Sequence, residues 1–173
     1  MLTEYQSHVE ERAQVGLPPL PLDVEQVSAL VERLKQGDEN SDALLELLIH
    51  RVPPGVDQSA YVKAGFLTDV AKGETQCELI SQVRATELLG TMMGGYNVQS
   101  LIELLDIDAT ADAAEKALCK TLMVYDAYHD VVEKAETNDH AKRVLQSWAD
   151  AEWFTSRPKL EAQCFSNSRV NLH

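Results

Sequence analysis

The chain has 173 residues, 45% of them hydrophobic and 25% charged, a composition that fits one soluble domain large enough to bury a core. Acidic residues outnumber basic ones 28 to 15, and the formal charge of −13 repels phosphate backbones, which weighs against an autonomous nucleic-acid binder. No apolar run approaches the roughly 20 residues of a membrane helix, no secretory signal is read at the N-terminus, and three cysteines point to a reducing cytoplasm rather than a disulfide framework.

Apolar residues recur at helical spacing along nearly the whole chain. Leu2, Tyr5 and Val9 predict a first helix, stopped by Gly16 and the run Pro18-Pro19-Leu20-Pro21. Asp23 is placed to cap a second, with Val24, Val27, Leu30, Val31 and Leu34 on its buried side and Gly37 at its end. Ser41 or Asp42 opens a third, carrying Leu44, Leu45, Leu47, Leu48 and Ile49. Arg51-Val52-Pro53-Pro54-Gly55-Val56-Asp57 then reads as a helix end, a fixed corner and a new start. Proline cannot continue a helix, glycine allows the reversal and aspartate caps the next helix.

The fourth helix is expected to turn Tyr61, Val62, Phe66, Leu67 and Val70 inward and to end at Gly73. Ser81 caps a fifth, running through Leu88, Leu89 and Met92 and broken by Gly94-Gly95. Asn97 starts a sixth with Val98, Leu101, Ile102 and Leu105. Thr110 begins a long seventh carrying Leu118, Leu122, Tyr125, Tyr128 and Val132. Asn138 or Asp139 starts the last, with Val144, Leu145, Trp148 and Phe154, closed by Pro158.

About eight helices joined by short corners predict an all-α fold of stacked antiparallel pairs. No clean self-match appears near a period of about 34 or 40 residues, so the repeat is degenerate and the α-solenoid HEAT-like. Residues 1–158 form the helical domain and residues 159–173 a polar C-terminal tail. Each pair buries its stripe against its neighbours only, which leaves broad outer faces for a partner.

Four segments resemble the N-terminal helical domain of bacterial aconitase B, in that family's order and over roughly residues 1 to 160. They are Leu44-Leu45-Glu46-Leu47-Leu48 through Asp57; Ala60 to Phe66 with Ala71-Lys72-Gly73-Glu74; Glu87-Leu88-Leu89-Gly90-Thr91-Met92 with Gly94-Gly95-Tyr96-Asn97; and Gln146-Ser147-Trp148-Ala149-Asp150-Ala151-Glu152-Trp153-Phe154 before Arg157-Pro158. The resemblance implies a HEAT-like domain ahead of catalytic domains in a tricarboxylic-acid-cycle enzyme. It also implies protein–protein contacts, dimerisation, a part in the channel toward the active site and regulatory mRNA binding. After Leu160 the chain departs from the family pattern, which continues into a swivel domain and the cluster-binding domains.

The resemblance further implies a 4Fe–4S cluster in the full-length enzyme, held by three cysteines that lie far downstream of this region. Cys77, Cys119 and Cys164 are 42 and 45 residues apart with no C-x-x-C pair, so no cofactor is assigned to this chain. The histidines His8, His50, His129, His140 and His173 include no i, i+4 pair and no metal motif. Asp126 and Asp130 share a helical face, a pattern more typical of a solvated surface than of a cation site. Gly90, Gly94 and Gly95 lack the Gly-Lys-Ser/Thr of a phosphate loop and read as a helix break. The serines fit caps and helix surfaces, with no G-x-S-x-G elbow.

No catalytic or metal residue is therefore assigned. Tyr96, at the glycine corner, and Trp148 and Trp153 are the candidate interaction residues, one tryptophan expected in the core and the other at a neighbour. The reading is a cytoplasmic protein-interaction domain that docks on catalytic domains or on itself. Two alternatives stand beside it. One is a part of a working aconitate hydratase or 2-methylisocitrate dehydratase. The other is an mRNA-binding regulator using basic pairs such as Arg33 with Lys35 or Lys142 with Arg143, against the overall charge.

Overall fold

Side-chain caps fix where four of the helices begin. The computed structural model describes residues 2–37, 39–121 and 127–152. Among them lie nine helices and no strand: α1 (Leu2–Gln14), α2 (Val24–Gln36), α3 (Ser41–His50), α4 (Gln58–Lys72), α5 (Gln82–Gly90), α6 (Val98–Leu104), α7 (Ala111–Cys119), α8 (Ala127–Lys134) and α9 (Asp139–Ala149). Asp23 accepts from the Gln26 amide at 2.8 Å while the Gln26 side chain reaches back to the Asp23 amide at 3.1 Å, a complete capping box. Asp57, Ser81 and Asn138 accept from the amides of Ser59, Arg84 and Ala141 in the same way. Gly37 and Gly73 end α2 and α4 at φ 73° and 78°, the left-handed closure that glycine makes without strain.

The helices stack in two layers, and the polar contacts give their directions. In one layer, Ser59 at the start of α4 donates to the Leu22 carbonyl just before α2. Thr68 and Lys72 of α4 meet Ser100 and Glu103 of α6 in the same order, and Lys134 at the end of α8 pairs with Asp106 just past α6. Helices α2, α4, α6 and α8 therefore run parallel. In the other layer Gly90 near the end of α5 lies against Ala117 near the end of α7, and α7 in turn packs along α9. Between layers the chain reverses: Gln82 at the start of α5 donates to the Ala71 carbonyl at the end of α4, and Tyr128 at the start of α8 lies beside Trp148 at the end of α9. These are the expected stacked antiparallel pairs, and helices α2 to α9 pack mainly against their sequence and stack neighbours.

The core fills the space between the layers. Leu22, Leu30, Leu67, Leu89, Leu101 and Leu118 are fully buried, as are Val131, Ala141 and Val144. Each such leucine contributes about 1.5–3 kcal/mol of transfer free energy before conformational entropy is counted. The buried polar side chains are all answered: Ser59, Thr86, Asn97 and Thr110 each donate to a main-chain carbonyl, and Lys63 reaches the Ile49 carbonyl near the C-terminus of α3 at 3.4 Å.

Three expectations need correction. The long seventh helix is two helices, α7 and α8, which makes nine among the described residues where about eight were expected. No glycine or proline lies between Ala111 and Lys134 to announce the break. Alpha-helical bonding gives way locally instead: the amides of Lys120 and Thr121 bond to carbonyls three residues back, and the Thr121 hydroxyl bonds to the Ala117 carbonyl. Val24, Tyr61, Tyr128 and Val132, placed inward by periodicity, are exposed. Asn97 precedes α6 without capping it by its side chain. Its amide is buried and donates to the Leu89 and Met92 carbonyls at 2.7 and 3.3 Å, which ties the glycine corner to α5. Leu122, Tyr125, Asp126, Phe154 and Pro158, and the tail 159–173, lie outside the described residues.

Candidate interaction surface

The two turn-rich corners read from the sequence meet in space. Gly55, at φ 88°, stands in the α3–α4 corner, and Gly94, at φ 96°, in the α5–α6 corner. A Cβ built on Gly94 would lie 2.3 Å from the Gly55 carbonyl carbon and 2.5 Å from its Cα and oxygen. The two backbones thus touch directly, a distance that only glycine permits. The Tyr96 hydroxyl donates to the Val56 carbonyl at 3.1 Å, a second tie across the same junction. The Tyr96 ring meets Tyr61 of α4 edge to face, with centroids 5.4 Å apart at 75°.

An apolar surface stands on this junction. Val56 is 72% exposed, Met93 64% and Tyr61 60%, beside the half-buried Tyr96. Their supports are fixed by the Asp57 cap, the buried Asn97 amide and the glycine contact. Aromatic and methionine side chains on a rigid base make an adhesive surface at low ordering cost. Tyr96 stands half-buried at this glycine corner. Trp148 is 6% exposed, and its indole N–H donates to the Leu118 carbonyl at 2.8 Å, so it is a tryptophan of the core. Trp153 lies outside the described residues. Tyr61, Val56 and Met93 escaped sequence reading because Tyr61 falls on the apolar stripe of α4 and the other two stand in turns.

A second cluster joins α7 to α9. Arg143 donates Nε and Nη2 to the two oxygens of Glu115 at 2.8–3.0 Å, and His140 Nδ1 lies 2.7 Å from the same carboxylate. With Asp112 the group brings three metal-type ligand atoms within 4.8 Å of one another. The Arg143 guanidinium already supplies the cation, so the arrangement is an ion-pair clamp. Lys142 pairs with Asp139 at 2.7 Å and Lys35 with Glu32 at 3.0 Å, so these two lysines and Arg143, considered for RNA, are neutralised locally. Cys77 lies between α4 and α5 with its sulfur 3.9 Å from the Leu34 carbonyl, while Cys119 ends α7. Among the described residues no group of three ligating side chains contains a cysteine, and Cys164 lies outside them.

The clamp carries a pH signature. The Arg143 guanidinium foremost, with His140, holds the Glu115 carboxyl below its ordinary 4.5. A lowered carboxylate contributes stability that is fully present above that value and is lost as pH falls through the folded-state value. In urea unfolding, wild type is expected to exceed Glu115→Gln at neutral pH, and the gap should shrink at about pH 3.5. A gap equal at both pH values would remove the clamp from the stability of the α7–α9 junction.

The fold and surface define an all-α protein of stacked helix pairs with an apolar corner. Residues 4–154 match the family described as Aconitate B N-terminal domain, and the chain belongs to that family. It is 58% identical over 164 residues to Aconitate hydratase B of Salmonella typhimurium (strain LT2) and 56% identical over 164 residues to that of Escherichia coli (strain K12). Against Aconitate hydratase B of Helicobacter pylori (strain J99) it is 47% identical over 161 residues. Each match covers 92% of this chain and 19% of the relative, so the chain spans about a fifth of the length of the curated relatives it matches.

Proposed function

We propose that the chain is the cytoplasmic interaction domain of an aconitase B-like protein of the tricarboxylic acid cycle, has no active site of its own and acts by docking on catalytic domains or on a second copy of itself. The apolar surface of Val56, Tyr61, Met93 and Tyr96 carries this reading, because it is exposed yet rigidly supported. The relatives' name supports the choice of partner, since this chain corresponds to one fifth of proteins called aconitate hydratase.

The test combines sedimentation of the chain alone with calorimetric titration against the remaining four-fifths of the Escherichia coli relative. A complex or dimer is expected, weakened about tenfold or more by Tyr61→Ala with Tyr96→Ala, as for a central aromatic anchor pair. No self-association and no binding at about 100 μM would sink the proposal. A second reading, citrate–isocitrate turnover by this chain alone, is favoured only by the relatives' name. Purified protein treated with iron and sulfide is expected to show neither brown absorbance nor turnover; cluster-dependent turnover would replace the docking reading.

A further inference from the structure

Helix α1 is tied to the connection that leads on to α2 by three side-chain bonds. The hydroxyl of buried Tyr5 donates to the Leu20 carbonyl at 2.8 Å, and Arg12 Nε donates to the Pro18 carbonyl at 2.9 Å. The third tie differs in kind: the Leu20 amide donates to His8 Nε2 at 3.1 Å. An imidazole nitrogen accepts only through a lone pair, so the contact requires a neutral His8 with its proton on Nδ1. Pro18, Pro19 and Pro21 have no N–H, which makes Leu20 the one residue between 18 and 21 able to donate.

We propose that His8 is a proton-operated latch for the N-terminal helix. When a solvent proton binds Nε2, an N–H stands where the lone pair stood, the Leu20 amide faces another donor, and the bond is lost. The connection then loosens from α1. The charges around the ring are Glu4, Glu11 and Arg12 on α1 itself; residues 15–22 contribute none. Glu10 of α1, Glu46 of α3 and Arg51 just past α3 line the groove between α1 and α3, which His8 does not line. Loosening uncovers the buried Tyr5, whose hydroxyl bonds to the Leu20 carbonyl of the same connection. Acid thus converts a covered helix face into an accessible one, on elements separate from the Tyr61–Tyr96 surface.

The experiment is amide exchange and ring-nitrogen NMR on the whole chain between about pH 7.5 and about pH 5.5, the window in which imidazoles titrate. Leu20 protection, corrected for intrinsic exchange, is expected to fall about threefold to tenfold as His8 protonates, the loss of one hydrogen bond. In His8→Gln, whose side-chain oxygen accepts at any pH, protection is expected to stay level. Unchanged Leu20 protection in wild type, or an equal fall in His8→Gln, overturns the latch. If that variant does not fold, the wild-type ring decides: the Nδ1–H tautomer at neutral pH supports the latch and the Nε2–H tautomer overturns it.

Discussion

Trp148→Ala is expected to lower the free energy of unfolding by about 3–5 kcal/mol, the range for truncating a buried tryptophan. The residue sits where three helices converge. It stands near the end of α9, donates to the Leu118 carbonyl of α7 at 2.8 Å, and lies 6.2 Å from the Tyr128 ring of α8. Removing it opens a cavity at that convergence and takes one of two donors from the Leu118 carbonyl, which keeps the Thr121 amide at 2.9 Å, so the cavity is the main loss. Since small domains carry about 5–15 kcal/mol in total, the variant should unfold at distinctly lower urea. Trp148→Phe retains much of the ring volume and should lose less. Circular dichroism against urea checks both, and a loss under about 1.5 kcal/mol for the alanine variant would show that the neighbours collapse around the vacancy.

Gly94→Ala is expected to cost about 3 kcal/mol, combining overpacking with a strained backbone. The new methyl would meet Gly55 main-chain atoms at 2.3–2.5 Å, and main chain cannot turn aside as a side-chain tip can. The neighbouring Gly95→Ala is the control. Its φ of 97° is also positive, yet no atom lies within 4 Å of the added Cβ, so only the strain remains. Thermal unfolding should place Gly94→Ala below Gly95→Ala by several degrees for a domain of this size. Equal melting would mean that the two corners do not bear on each other. The Tyr61–Tyr96 surface rests on that contact, so Gly94→Ala should also weaken any association that surface mediates.

Legibility in the sequence tracks the range of the forces concerned. The caps at Asp23, Asp57, Ser81 and Asn138 were legible because a cap acts on amides two or three residues away. The inward leucines were legible because burial repeats with the helical turn. Tyr61 and Tyr128 were misplaced because an amphipathic stripe in a stack is wider than the face its neighbours cover. The break after Cys119 carried no glycine or proline. Asn97 could be read as a local cap, whereas its amide spans eight residues back to Leu89. The Glu115–His140–Arg143 clamp and the meeting of Gly55 with Gly94 join positions 25 to 39 residues apart, a separation that only the stacking of helices reveals.

The parallel run of helices within each layer has a mechanical consequence. Cohesion passes from one hairpin to the next, with few fastenings that skip a member. Tension applied along the stack would therefore peel hairpins away in succession, and the chain would lengthen by increments instead of rupturing all at once.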